Sequence, residues 1–218
     1  MDKLTIALPK GRMFDPTVDL LRKAGIVNRD LDDDSRKLIL EDGKLRIDFL
    51  LSKAVDVHTY VEHGVADLGV VGKDVLLEAG ANVYELLDLG MSSCRVVVAI
   101  PEEKGITSLD ELPSTGRVAT KYVNIAQRFF DQQGIQIEIV KLNGSIEMAP
   151  LVGLSDMIVD ISSTGRTLRE NNLIEIAEIA KSSARLIANR VSYKTQHDRI
   201  KNIIEEVKKI KRSEEKKQ

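Results

Sequence analysis

The stretch DMIVDISSTGRTLREN, from Asp156 to Asn171, decides the fold class of this chain. Met157–Ile161 is apolar apart from Asp160, which is typical of a strand that is buried on both faces. Hydroxyl-bearing residues and Gly165 follow at once, and residues 167–171 suit a helix. A buried strand that leads through a turn into a helix is the repeating unit of α/β proteins. The stretch therefore predicts an α/β fold.

The rest of the chain repeats this alternation of strands and helices. Apolar runs predict further strands, and glycines at positions 25, 64, 80 and 134 follow helical patterns as C-terminal caps do. An Asp42-Gly43 pair between two apolar runs predicts a hairpin. We expect mostly parallel sheets, a helix capped by Asn124, a late strand at Leu186–Val191 and a C-terminal amphipathic helix around Ile200–Ile210. The domains predicted are a discontinuous one of residues 1–92 and 182–218, and one of residues 93–181.

Composition excludes several classes of protein. The 218 residues carry 32 Lys and Arg against 34 Asp and Glu, and the net charge of -2 argues against a generally basic nucleic-acid binder. The single cysteine, Cys94, excludes an intramolecular disulfide framework and fits a reducing compartment. The longest apolar runs are far too short to cross a bilayer, and the first residues lack the pattern of a secretory signal. The expected location is the cytoplasm.

The residues around Gly165 have the composition of a phosphate-binding loop. Backbone N–H groups bind phosphate where no side chain obstructs the approach, and a glycine provides this opening. Asp160, an acceptor-only carboxylate, suits a pair of ribose hydroxyls. The N-terminus of the following helix adds positive potential. The segment predicts a pocket for a sugar 5-phosphate; the alternative is a plain strand, loop and capped helix. Donors are expected from Ser162, Ser163, Thr164, Gly165, Arg166 and Thr167.

A second group of candidate residues follows the first strand. Lys10, Gly11 and Arg12 put two cations around a glycine at a strand-to-helix turn, which suits a polyphosphate; the alternative is a solvated surface turn. Arg36 is either a phosphate ligand or the ion-pair partner of the acidic run at 32–34. That run favours a solvated loop over a metal site. Weaker candidates are Asp67 and Gly72, whose segment either lines a cleft or is ordinary tight strand–helix packing. Glu147 either starts a helix that faces the same cleft or lies in a plain turn.

Covalent catalysis has no support in the sequence. No GxSxG, HExxH or CxxC pattern is present, and no nucleophile and base stand out as a pair. Cys94 lies in a predicted buried strand and is expected to be inert. These features favour a transfer reaction that depends on positioning and electrostatics.

Several motifs, in order along the chain, resemble the ATP phosphoribosyltransferase family. Residues 160–171, DISSTGRTLREN, are similar to the family's loop for phosphoribosyl diphosphate (PRPP). The segments LPKGR at 8–12, DLGVVGKD at 67–74, CRVVVA at 94–99 and LNGSIE at 142–147 also look like that family. One departure is Met91-Ser92-Ser93, where the family pattern is richer in glycine and lysine.

The resemblance implies a fold and an activity. The fold would be two α/β domains around a cleft, as in type II periplasmic binding proteins. The reaction would be the Mg²⁺-dependent transfer of the phosphoribosyl group to N1 of ATP with release of diphosphate, the first step of histidine biosynthesis. For this reaction we assign Arg12 and Arg36 to the neutralisation of the diphosphate, and Asp160 and residues 162–167 to the binding of PRPP. Lys10, Gly11, Arg12, Asp67, Gly72 and Glu147 would bind ATP or diphosphate.

The same resemblance implies a partner. The chain looks like the short form of the family, which works with a regulatory subunit resembling histidyl-tRNA synthetase in a hetero-octamer. Two alternatives stay open at this point: a non-catalytic solute-binding protein of the same fold, and a catalytically silent interaction subunit.

Overall fold

The computed structural model describes residues 3–34, 36–43 and 45–215. The strands are β1 (Leu4–Pro9), β2 (Ile39–Asp42), β3 (Ile47–Ser52), β4 (Leu68–Gly72), β5 (Tyr84–Asp88), β6 (Cys94–Pro101), β7 (Thr115–Thr120), β8 (Gln136–Lys141), β9 (Met157–Ser162), β10 (Leu173–Ser182) and β11 (Ala184–Ala188). The helices are α1 (Phe14–Lys23), α2 (Val57–Glu62), α3 (Lys73–Ala79), α4 (Val123–Gln133), α5 (Met148–Leu151), α6 (Arg166–Glu170), α7 (Arg190–Thr195) and α8 (His197–Glu215).

The described chain divides into two compact units. Unit 1 comprises the residues up to Leu76, Gly80–Ser92 and the residues from Ser183 onwards; unit 2 comprises Leu77–Ala79 and Ser93–Ser182. The long segment of unit 2 begins after Ser92, where the boundary was predicted, and ends at Ser182, one residue beyond the predicted end. Leu77–Ala79, the end of α3, group with unit 2 instead of unit 1. That each unit is an independent domain stays a prediction.

Unit 1 is built on a six-stranded mixed sheet of order β2-β3-β1-β4-β11-β5. β1 is parallel to both β3 and β4, whereas β2, β11 and β5 join antiparallel. Residues 4 and 6–9 of β1 are buried, as expected for a central strand with both faces covered. One face packs on α1 and α8, where Phe14, Leu21 and Ile200 join the core, and the other packs on α2.

Unit 2 is built on a five-stranded sheet of order β10-β6-β9-β7-β8. β9, β7 and β8 run parallel, and β6 pairs antiparallel with β9 and β10. Alternate residues of each strand face opposite sides of a sheet. Val96, Val98 and Val159 accordingly pack against α4, whereas Val97 and Ile158 pack on the side of α5 and α6.

The structure corrects three expectations. Both sheets are mixed, not mostly parallel. Asn124 lies in the first turn of α4, because the helix begins at Val123 after Tyr122. The late strand ends at Ala188, and Val191 belongs to α7, whose N-terminal N–H groups are capped by the Asn189 side chain. The hairpin around Asp42-Gly43 is confirmed by the antiparallel pairing of β2 and β3. In the ranges described, no helix combines the length and apolar character that crossing a membrane requires.

Candidate active site

The three parallel strands of unit 2 end at one edge of its sheet, and the turn after each strand is polar. The loop of residues 163–165 follows β9, Lys121 follows β7, and the turn of residues 142–147 follows β8. The register pairs Thr120 of β7 with Val159 of β9 and with Lys141 of β8, so these turns share the carboxyl edge. Ligands of open α/β sheets bind at this edge. The predicted phosphate-binding loop therefore lies where such a site is expected.

Gly165 has a backbone conformation that favours glycine. Its φ is +70°, in the left-handed region. A Cβ added there would lie 2.8 Å from Nη1 of Arg169 and 3.3 Å from Oε1 of Glu175, both closer than ordinary contacts. Glycine is therefore favoured at this turn, and its neighbours Ser163 and Thr164 face solvent. That the loop binds a phosphate stays a prediction. The following helix, α6, has only five residues, so its dipole adds less than expected.

Asp160 and Ser162 lie on the same face of β9, because they are two residues apart in a strand. Asp160 is half-buried, and its Oδ1 accepts the backbone N–H of Ile161 at 2.8 Å, which fixes the carboxylate. Ser162 is buried, and its hydroxyl donates to Oε1 of Glu175 at 2.6 Å. Since that proton is already used, the geometry does not support Ser162 as a phosphate donor.

The other predicted residues of the loop differ in how they are held. Nε of Arg166 donates to Oε1 of Glu170 at 2.8 Å. The two residues are exposed and lie one helical turn apart. Oγ1 of Thr164 accepts the backbone N–H of Arg166 at 3.4 Å. Thr167 is exposed. Glu147, at the start of α5, is half-buried and belongs to the turn after β8, so it shares the carboxyl edge with the loop.

Three residues near the loop were not found from the sequence. Glu175 of β10 pairs its Oε2 with Nη2 of Arg95 at 2.8 Å, in addition to accepting the Ser162 hydroxyl. Lys121 is half-buried, with Nζ 4.8 Å from the Tyr122 ring centroid. A cation directly after a buried strand was a visible signal for Lys121. No local signal marks Glu175 and Arg95, which lie on different strands.

Unit 1 gathers cations at the carboxyl edge of its own sheet. Lys10 and Arg12 follow β1, and Lys53 follows β3. Pro9 and Ser52 are paired in the register, and the Lys10 N–H donates to the Ser52 carbonyl at 2.8 Å, so the two turns are neighbours. Gly72, at the end of β4, lies at the same edge, since β4 is parallel to β1. This edge suits a polyphosphate group.

The acidic segment before Arg36 folds onto this turn. The N–H of Gly11, a residue with φ of +82°, donates to Oδ2 of Asp33 at 2.8 Å. The other oxygen, Oδ1, is buried and has no hydrogen-bond partner among the described residues. Arg36 is exposed, three residues further along the chain. The expected solvated loop is therefore tethered, through Asp33, to the Lys10–Arg12 turn.

Asp67 lies at the opposite edge of the unit 1 sheet. Its Oδ2 accepts the Thr5 N–H at 2.7 Å, and its Oδ1 accepts Nε2 of Gln196 at 3.0 Å. β4 separates Asp67 from Gly72, so the structure does not bring Asp67 to the Lys10 turn. These contacts hold Asp67 at that edge, and its predicted role in binding stays a prediction. Within the parts of the chain that the structure covers, no three His, Cys, Asp or Glu side chains are grouped to hold a metal ion.

Comparison with known proteins identifies one family. The family model described as "HisG: ATP phosphoribosyltransferase" matches residues 53–209. Among curated relatives, the ATP phosphoribosyltransferase of Halothermothrix orenii is 51% identical over 98% of this chain and 96% of its own length. That of Caldanaerobacter subterraneus is 56% identical over 96% and 98%.

Solved structures extend the comparison to the fold. The structure titled ATP phosphoribosyl transferase (HisG:HisZ) complex from Thermotoga maritima matches with a TM-score of 0.83 and 35% identity, over 96% of this chain and 99% of the other. A substrate binding protein of an amino acid ABC transporter matches with a TM-score of 0.62 and 14% identity, over 97% and 94%. At that identity the second match concerns the fold alone, and it agrees with the expected likeness to periplasmic binding proteins.

Proposed function

This chain belongs to the ATP phosphoribosyltransferase family, and we propose that it transfers the 5-phosphoribosyl group of PRPP to N1 of ATP, releasing diphosphate, as the first step of histidine biosynthesis. The observation that carries the proposal is the loop after β9. It combines a glycine in the left-handed conformation, Gly165, next to the exposed Ser163 and Thr164, with the fixed carboxylate of Asp160 at the carboxyl edge of a sheet.

The loop and the end of β9 offer groups that suit both the phosphate and the ribose hydroxyls of PRPP. The 5-phosphate would accept hydrogen bonds from the backbone N–H groups of residues 163–167 and from the exposed hydroxyls of Ser163, Thr164 and Thr167. Asp160 would accept hydrogen bonds from the ribose hydroxyls, because an ionised carboxylate is an acceptor only. The hydrogen bond from Ser162 to Glu175 would fix the position at which the loop leaves β9.

The chemistry needs stabilisation of a leaving group more than a base. N1 of adenine has a lone pair and no proton, so it attacks C1 of the ribose directly. The bond from C1 to the diphosphate oxygen breaks, and its electron pair leaves with the diphosphate. Positive charge grows on the sugar carbon and negative charge on the leaving group. Lys10, Arg12 and Arg36 are the cations of this chain that we assign to the leaving diphosphate.

Mg²⁺ is the proposed cofactor, held chiefly by the diphosphate of the substrate. Magnesium keeps several waters and binds one or two carboxylates together with substrate phosphates. The donor set fits this mode: Oδ1 of Asp33 is a buried carboxylate oxygen without a hydrogen-bond partner in the described chain, beside the Lys10–Arg12 turn. Asp33 would accept a water of the hydrated ion. When bound, Mg²⁺ neutralises charge on the diphosphate.

A regulatory subunit resembling histidyl-tRNA synthetase is the proposed partner. The Thermotoga maritima structure that this chain matches over 96% of its length is a complex of HisG with HisZ. We propose the same association here, in a hetero-octamer, with histidine inhibition dependent on the partner. The proposed location is the cytoplasm, where the substrate ATP is made and used.

The test is release of diphosphate from PRPP in the presence of ATP and Mg²⁺, with and without the partner subunit. The proposal expects turnover that requires both substrates and rises when the partner is added. Binding of an amino acid or oxyanion with no turnover under either condition would support the solute-binding alternative. If the chain alone shows no turnover and mixing it with the regulatory subunit produces none, the result would support a catalytically silent subunit.

A further inference from the structure

Glu175 lies beside the predicted phosphate-binding loop and binds two residues, one through each carboxylate oxygen. Its Oε1 accepts the Ser162 hydroxyl at 2.6 Å, and its Oε2 pairs with Nη2 of Arg95 at 2.8 Å. The side chain is 24% exposed, so water screens these contacts only in part. Three strands meet here: β10 supplies Glu175, β9 supplies Ser162 and β6 supplies Arg95.

The same carboxylate also approaches the far end of the loop. A Cβ at Gly165 would lie 3.3 Å from Oε1 of Glu175, which shows how closely the glycine backbone packs on this oxygen. Glu175 therefore binds Ser162, the last residue of β9 before the loop, and borders the loop at Gly165. A carboxylate this close to a phosphate site would repel the ligand if it were unpaired. Arg95 supplies the compensating positive charge.

We infer that Glu175 is a positioning residue for PRPP: it fixes the loop through Ser162, while Arg95 neutralises its charge. The inference rests on the proposed function of the loop. Glu175 does not reach the reacting atoms in this account, because it acts through Ser162. Its loss should weaken binding of the sugar phosphate and leave the ATP site and the chemical step largely intact.

The chain offers a matched control on the same strand. Glu178 also lies near Arg95, with Oε2 3.6 Å from Nη1, but in the described chain the Ser162 hydroxyl donates to Glu175 and not to Glu178. Glu175→Ala is expected to raise the PRPP KM about tenfold, as for loss of a hydrogen bond to a charged group, with kcat and the ATP KM within threefold. Glu175→Gln keeps an oxygen acceptor for Ser162 and should restore the PRPP KM to within threefold. Glu178→Ala should leave it unchanged.

Calorimetric binding of ribose 5-phosphate separates this inference from the proposed function. The same order of effects is expected there: weaker binding in Glu175→Ala, recovery in Glu175→Gln and no change in Glu178→Ala. If the wild type binds ribose 5-phosphate in this pattern but never turns over PRPP and ATP, the proposed function fails and the role of Glu175 stands.

Three results would overturn the role of Glu175. They are an unchanged affinity in Glu175→Ala, an equal loss in Glu178→Ala, or a parallel loss of PRPP and ATP affinity with a lower melting temperature, which would mark a merely structural residue. If Glu175→Ala does not fold, Ser162→Ala decides, because it removes the hydroxyl and leaves the Glu175–Arg95 pair in place. An affinity equal to that of the wild type in Ser162→Ala would then overturn it.

Discussion

Replacing Gly165 with alanine should weaken PRPP binding by a predictable factor. The residue holds φ at +70°, where a side chain costs roughly 1–2 kcal/mol. The added Cβ would also lie 3.3 Å from a Glu175 oxygen that is held by Ser162 and Arg95, whereas Arg169, at 2.8 Å, can move its exposed end away. If the backbone strain alone opposes the binding conformation, the PRPP KM rises about 5- to 30-fold.

Gly134 provides the control for this prediction. It has φ of +71° at the end of α4, and among the described residues no atom beyond its chain neighbours and its own helix lies within 4 Å of an added Cβ. Gly134→Ala therefore carries the same backbone strain outside the loop. Both variants should lose roughly 2–8 °C of melting temperature, at about 2–4 °C per kcal/mol for a chain of this size. Steady-state kinetics at saturating ATP should show a raised PRPP KM in Gly165→Ala alone. Equal PRPP KM values in the two variants would refute the reasoning.

Three further predictions concern the cations and carboxylates. Arg36→Ala should lower kcat/KM about a hundredfold if Arg36 stabilises the leaving diphosphate, and a rate within threefold of wild type would make it a surface residue. Asp33→Ala removes the acceptor of the Gly11 N–H, so it should lower kcat/KM roughly tenfold by releasing the segment that carries Arg36; unchanged kinetics would show that the tether is dispensable. The Arg117 backbone N–H, aided by Lys104 and opposed by partial burial, holds the pKa of Asp156 below its ordinary value of 3.8. A lowered folded-state pKa gives stability that is present above the unfolded-state value and lost as pH falls through the folded one. Urea midpoints should therefore show Asp156→Asn less stable than wild type at pH 7, with the gap closing below about pH 4; a gap independent of pH would contradict this.

Local signals in the sequence predicted much of the fold. β1, β4, β6 and β9 are short apolar runs, and strands buried on both faces have this pattern whatever their neighbours. β10 was not predicted because it lies at the edge of its sheet and its charged residues, Glu175, Glu178 and Lys181, recur every third position, which is not the period of a strand. Two register shifts against β6 accommodate this spacing. The partner of β10, β6, is about 70 residues away along the chain, and only the pairing defines the strand.

Only part of the candidate site could be predicted from local signals in the sequence. The loop after β9 could be predicted because Asp160, the hydroxyls and Gly165 are consecutive in the sequence. The bond from Ser162 to Glu175 could not, since it depends on the register of three strands. The position of Asp67 could not be predicted either, because the five residues of β4 carry the chain about 17 Å from one edge of the sheet to the other. Asp67 and Gly72 are close in sequence and lie at opposite edges.

A crystal structure of the complex with PRPP would show whether the ligand binds at the loop after β9. We expect the 5-phosphate on the N–H groups of residues 163–167, with the ribose hydroxyls on Asp160. PRPP bound at another place, with this loop vacant in the same crystal, would contradict this expectation.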